Sequence, residues 1–228
     1  MLLCGMQKTT LLDYPEHLAA TLFTGGCNFR CPYCHNSDLL YGKVEQALSK
    51  EEVFLFLEKR KNILDGICIS GGEPSLQNDL AEFIAEVRTM GFLVKLDTNG
   101  YRPDVIRSLL NQNLLDYIAM DIKNSPVKYS ITTGVADLNV EQLDESIRLI
   151  MNGDIPYEFR TTVVKELHEE RDLMAIAEWI KGSRAYYLQS FKESDGVIAA
   201  GLHPWPEERM ERVLPTIQSY IASAGLRG

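Results

Sequence analysis

Three cysteines crowd into one short segment, Gly25-Gly26-Cys27-Asn28-Phe29-Arg30-Cys31-Pro32-Tyr33-Cys34-His35-Asn36. The C-x3-C-x2-C spacing puts three thiolates on one loop. Iron–sulfur clusters bind through cysteine thiolates, and a 4Fe-4S cube normally takes four. Neither Cys4 nor Cys68 stands in a second motif, so a cube held here keeps one iron open for a substrate. The same logic separates catalytic from structural zinc sites. Two other chemistries explain part of the pattern. Zinc needs a fourth ligand, and His35 is the obvious one, although a position directly beside Cys34 is unusual for a tetrahedral partner. A thioredoxin-type redox pair accounts for Cys31 and Cys34 but not for Cys27. A secreted disulfide framework would spread its cysteines, whereas clustered ones in a reducing compartment read as a metal or redox site. Cys68, in an apolar run, reads as core packing.

The elements that position this loop follow from periodicity. Leu18 to Thr24 is a strand-forming run, and the cysteine loop leaves its end. Ser49 with Glu52 forms a capping box for a helix with Val53 and Leu57 on its apolar face. Gly66 to Ser70 is a second strand, ending in Gly71-Gly72-Glu73-Pro74. Leu80, Phe83, Ile84 and Val87 recur at helical spacing before a stop at Gly91. Further strands are expected over Phe92 to Thr98, Tyr117 to Ile122, Tyr157 to Val164 and Ala185 to Phe191. Helices alternate with them, and a closing helix starts near Pro206. This alternation predicts an α/β protein with a parallel sheet and right-handed crossovers. Polar residues at the strand ends (Glu73, Asp97, Asp121) would converge at one mouth of a barrel. Six units fall short of eight, so a partial barrel is expected, as one domain over residues 1–228 with a helical extension over about 203–224.

Composition limits the function classes. The 228 residues carry a formal net charge of −9 with no Lys/Arg cluster, which argues against nucleic acid as the partner. No stretch approaches the roughly 20 apolar residues that cross a bilayer, and no signal peptide is visible, so a cytoplasmic location is expected.

The cysteine spacing, with Tyr33 before the last cysteine, together with Gly71-Gly72-Glu73-Pro74 after the second strand, resembles the radical S-adenosylmethionine enzymes. The resemblance runs from about Asp13 to Phe191 and implies a partial (β/α)6 TIM-type barrel. It implies two cofactors, one 4Fe-4S cluster on Cys27, Cys31 and Cys34, and S-adenosylmethionine on the open iron. Reductive cleavage would then give a 5′-deoxyadenosyl radical that abstracts a hydrogen atom. By the same resemblance Gly71 and Gly72 let the backbone approach the methionine ammonium, Glu73 accepts from that ammonium or braces the loop, and Tyr33 lies beside the adenine. His35 shields the cluster or touches the nucleoside. Asp97 and Asn99, in Asp97-Thr98-Asn99-Gly100, and Asp121 and Lys123, in Met120-Asp121-Ile122-Lys123, resemble cofactor-binding segments of glycyl-radical-enzyme activating enzymes. There Lys123 suits the methionine carboxylate and Asp121 the ribose or ammonium. Asp97, Thr98 and Met120 match positions that hold a monovalent cation in some activators.

The segment Gly5 to Pro15, followed by the cysteine loop, resembles activators of the anaerobic ribonucleoside-triphosphate reductase. That implies a partner glycyl radical enzyme, hydrogen abstraction from one of its glycines, and a flavodoxin or ferredoxin-type electron donor. Asp13 is a candidate contact for the partner's glycine loop. Arg160, a charge amid apolar neighbours in the fifth strand, needs a carboxylate partner. A substrate carboxylate, the cofactor carboxylate and Asp121 are its candidates, and with Asp13 it is a candidate contact for the partner's glycine loop. A small-molecule reaction of the 7-carboxy-7-deazaguanine synthase type is the alternative.

Overall fold

A computed structural model describes residues 1–40, 48–194 and 196–227. Eight strands form one sheet in chain order: β1 (Leu3–Thr10), β2 (Ala19–Thr24), β3 (Gly66–Gly71), β4 (Leu93–Thr98), β5 (Tyr117–Asp121), β6 (Tyr157–Val163), β7 (Tyr186–Ser190) and β8 (Ala224–Arg227). The helices are α1 (Ser37–Leu40), α2 (Lys50–Glu58), α3 (Leu80–Thr89), α4 (Pro103–Asn111), α5 (Tyr129–Thr133), α6 (Val140–Met151), α7 (Glu170–Trp179) and α8 (Glu207–Gln218).

The six expected strands are β2 to β7, all parallel. Two strands were not expected. β1 runs antiparallel to β2 along one edge, and β8 adds to β7 at the other. The two edges are not paired with each other among the described residues, so the barrel is partial and open. The closing helix ends at Gln218, short of the expected extension, and the chain after it returns to the sheet as β8. Gly91, expected as a stop, has φ +93 just past α3. The Ser49–Glu52 capping box forms as expected, with Ser49 N donating to Glu52 at 2.8 Å and Glu52 N to Ser49 at 3.1 Å. No helix among the described residues is long and apolar enough to cross a membrane.

Side chains alternate across the sheet. One face carries Leu22, Ile69, Leu96, Ile118, Met120 and Phe159, each fully buried in the apolar core. Burial of each such side chain contributes roughly 1.5–3 kcal/mol. The inner face is polar. The strand register sets Thr21, Cys68, Lys95 and Tyr117 in one row, with Asp121 beside Arg160 higher up. The fold thus places charge inside the barrel, below the loops that leave the strand ends.

Candidate active site

The cysteine loop is pinned from several sides. Gly25 N donates to Leu2 O at 3.0 Å, Gly26 N to Leu39 O at 2.7 Å and Arg30 N to Thr133 O at 2.7 Å. Arg30 folds its guanidinium back onto the carbonyls of Cys27 (2.5 Å) and Phe29 (2.7 Å). The buried Phe29 ring packs against Tyr101 and Tyr129. From the segment after β7, Ala199 N donates to Pro32 O at 2.9 Å, and Ser194 lies 3.2 Å from His35 Nδ1.

Gly71 and Gly72 explain how the second motif meets this loop. Gly71 has φ +117, a conformation that side chains disfavour, and a Cβ there would strike the Thr24 backbone. A Cβ on Gly72 would strike the carbonyl oxygen of Gly26. In the space this leaves, Gly72 N donates to Thr24 O at 2.9 Å and Glu73 N to Gly26 O at 2.8 Å. The glycines therefore bring the two motif loops into backbone contact.

Glu73 is a brace. Its carboxylate accepts from Ser75 N (3.0 Å), Thr98 Oγ1 (2.7 Å) and Asn99 N (2.6 Å). Burial pushes its carboxyl up, against the pull of these donors. Asn99 continues the brace, donating from Nδ2 to Asn28 Oδ1 at 2.7 Å with Cys27 Sγ at 3.9 Å.

These elements enclose a pocket of about 830 Å³, counting space open to solvent, at the C-terminal ends of the parallel strands. Cys27, Cys31 and Cys34 line it, with Tyr33, His35, Gly71, Gly72, Glu73, Asp97, Asn99, Asp121, Lys123 and Arg160. Besides Met120, which packs in the apolar core on the other face of the sheet, Asp13 is the one expected residue that is elsewhere. It lies in the β1–β2 hairpin, at the opposite end of the strands, and its carboxylate accepts from Thr21.

The floor of the pocket is an ion-pair network. Arg160 Nε donates to Asp121 Oδ1 at 2.9 Å, and its Nη1 stands 3.5 Å from Asp97 and 3.9 Å from Glu158. Lys123 Nζ donates to Asp121 Oδ2 at 3.0 Å, and Lys95 pairs with Asp97. Burial alone would raise the Asp121 carboxyl, but Arg160 and then Lys123 hold it well below the carboxylate range. Asp97 is held down in the same way by Arg160 and Lys95. Lys123 stays charged, because Asp121 outweighs the cost of its burial.

Of the candidate partners for Arg160 the structure supplies Asp121, and Asp97 and Glu158 of the same chain stand beside it. The monovalent cation expected at Asp97, Thr98 and Met120 meets an Asp97 that already carries Lys95 and Arg160, and a Thr98 hydroxyl turned to Glu73.

The residues present fit a cluster better than a single ion. All three thiols are unpaired. Among the described residues no group of three or more His, Cys, Asp or Glu is gathered at the spacing of a single metal ion. A cube takes each thiolate on a different iron, so its ligands need to share a pocket without meeting at a point. Burial pushes the Cys27 thiol up to about 11 and the Cys31 thiol up to about 12, so a strongly cationic centre is needed to draw them out as thiolates. Tyr33 is among the residues that line the pocket, and its hydroxyl is buried without a hydrogen-bond partner among the described residues.

Two contributors escaped sequence reading. His168, 1% exposed, sits 2.9 Å from the carbonyl of Lys123 through Nε2, while Nδ1 accepts from Val164 N at 3.1 Å. It fixes the backbone that carries Lys123. Arg227, in the unexpected strand β8, grips Glu158 with both terminal nitrogens at 2.8 and 3.0 Å. No local signal marks either residue, because each acts on a segment distant in sequence.

Comparison with known proteins fits this geometry. The sequence model of the Radical SAM superfamily matches residues 21–176. A Methanocaldococcus jannaschii protein, whose name proposes a glycyl-radical enzyme activating enzyme, is 33% identical over 99% of this chain and 95% of its own length. The 7-carboxy-7-deazaguanine synthase of Thermoplasma acidophilum is 26% identical over 87% of this chain and 85% of its own. In fold, the chain is similar to Streptococcus suis SuiB bound to S-adenosylmethionine, with a TM-score of 0.68 at 12% identity over 89% of this chain and 48% of that one.

Proposed function

Because the chain belongs to the radical SAM superfamily, an enzyme family whose cofactors are a 4Fe-4S cluster and S-adenosylmethionine, we propose that it activates a glycyl radical enzyme. The end-to-end match to the archaeal protein named for that activity carries the reading. It outweighs the lower identity to the deazaguanine synthase. The partner is the anaerobic ribonucleoside-triphosphate reductase. That choice is supported by the segment Gly5 to Pro15 with the loop Thr24 to Asn36.

In this reading Cys27, Cys31 and Cys34 hold the cluster, and the bound cofactors supply a 5′-deoxyadenosyl radical by one-electron cleavage of the sulfonium. The chain's own groups orient and shield. Lys123, kept charged by Asp121, presents an ammonium to the methionine carboxylate. Gly71 and Gly72 keep the backbone beside the cysteine loop open to the methionine end. Tyr33 lies beside the adenine and meets it mainly through its backbone, and His35 covers the cluster loop beside Phe191. Asp13 lies at the far end of the strands from the pocket, so the glycine loop meets the barrel mouth without it. A flavodoxin or ferredoxin-type protein supplies the electron.

The test is anaerobic incubation of reconstituted protein with S-adenosylmethionine, a reductant and the reductase encoded in the same genome. A glycyl-radical doublet in the electron paramagnetic resonance spectrum of the reductase is expected, with 5′-deoxyadenosine formed. Formation of a 7-deazaguanine product from a small-molecule precursor, with no radical on any glycyl enzyme, would replace this reading with the synthase one.

A further inference from the structure

β8 lies outside the stretch matched by the superfamily model, yet its last described side chain reaches the pocket floor through one intermediary. Glu158, on the inner face of β6, is 1% exposed and carries a charge that burial makes costly unless it is paired. Its partners are the Tyr117 hydroxyl at 3.1 Å, Arg227 at 2.8 and 3.0 Å, and Arg160 at 3.9 Å. The Arg227 contact is the strong one, a two-pronged guanidinium–carboxylate pair. Its guanidinium also stacks on the Tyr187 ring at 3.9 Å, which fixes its plane.

Arg160 Nη1 is the contested group. It stands 3.5 Å from Asp97 and only slightly farther, 3.9 Å, from Glu158. With Arg227 present, Glu158 is already satisfied, and the Arg160 guanidinium stays with Asp97 and Asp121. Without Arg227, a buried carboxylate would face Arg160 with no other cation among its ion-pair partners in the described residues. The lowest-cost response is for Arg160 to turn toward it, away from the two pocket acids.

We propose that Arg227 is a positioning residue for the cofactor pocket, holding Glu158 so that Arg160 remains on Asp97 and Asp121. The proposal rests on the reading of Asp97, Asp121 and Lys123 as the cofactor-facing network. It gives the closing strand a part in setting that network.

The experiment measures S-adenosylmethionine dissociation constants on anaerobically reconstituted enzyme. Arg227→Met is expected to weaken binding by roughly tenfold, a loss equivalent to about 1.4 kcal/mol. Adding Glu158→Gln removes the charge that recruits Arg160, and the amide oxygen it introduces still accepts from Tyr117, so the double variant is expected to bind within about twofold of wild type. A merely structural role for Arg227 in β8 would give no such rescue. Unchanged binding in Arg227→Met overturns the proposal, as does a double variant as weak as the single one. If Arg227→Met does not fold, Arg227→Lys keeps the charge but loses the fork. It is then expected to bind more weakly than wild type and to be rescued in the same way, and equal affinity with and without Glu158→Gln overturns the proposal. Asp121→Asn separates the two levels. Unchanged binding in that variant removes the underlying reading, whereas weakened binding there beside normal binding in Arg227→Met removes the relay alone.

Discussion

Both carboxylate oxygens of Glu73 are taken by protein donors, so this motif acid acts on the pocket through the loops it joins. Glu73→Gln keeps the shape but turns an amide NH2 toward one of those donors. The expected cost is about 1–3 kcal/mol in denaturant unfolding of the cluster-free protein. His168 supplies a pH test at the same scale. Burial lowers its pKa, and its Nδ1 must accept from Val164 N–H, so the folded state holds it neutral. The unfolded chain binds that proton near the ordinary value of about 6.5. The contribution of neutral His168 is therefore complete above that pH and is lost as pH falls through the lowered folded value. Thermal midpoints of cluster-free protein between pH 7.5 and 5.5 are expected to fall, and to fall less in His168→Gln. The cysteines were legible from sequence because their chemistry depends on spacing along one loop. His168 was not, because its partner Lys123 is 45 residues away and meets it only through folding.

At the scale of elements, the six parallel strands were readable from apolar runs and the helices between them from 3.6-residue spacing. The two edge strands were not. β1 is half-exposed along most of its length and shows no clean alternation, and β8 has four residues, one of them Gly225. The polar inner face was visible only in part. Arg160 was flagged as a charge needing a partner, but its pairing with Asp121 depends on the β5–β6 register, which a single sequence does not state. That register gives a prediction. Arg160→Met leaves Asp97 and Asp121 with only their lysines, and the expected loss is about 3–5 kcal/mol, read as a lower unfolding midpoint. Gly72→Ala tests the contact between the motif loops. The added methyl strikes Gly26, so the variant is expected to retain helix content by circular dichroism but lose most of its cluster absorbance after reconstitution.

Across the whole molecule, a chain of net charge −9 keeps four cations, Lys95, Lys123, Arg160 and Arg227, in contact with three inner-face carboxylates, Asp97, Asp121 and Glu158. The barrel scaffold, the two motif loops and this network meet at one pocket, and what that pocket holds decides the function. The most direct measurement is the electron paramagnetic resonance spectrum of the reduced, anaerobically reconstituted protein before and after S-adenosylmethionine is added. A reduced 4Fe-4S signal that shifts on addition, and that is absent from Cys31→Ala, is the predicted result, since three cysteines leave one iron for the ligand. A spectrum indifferent to S-adenosylmethionine, or a protein that takes up zinc and no cluster, would contradict the account.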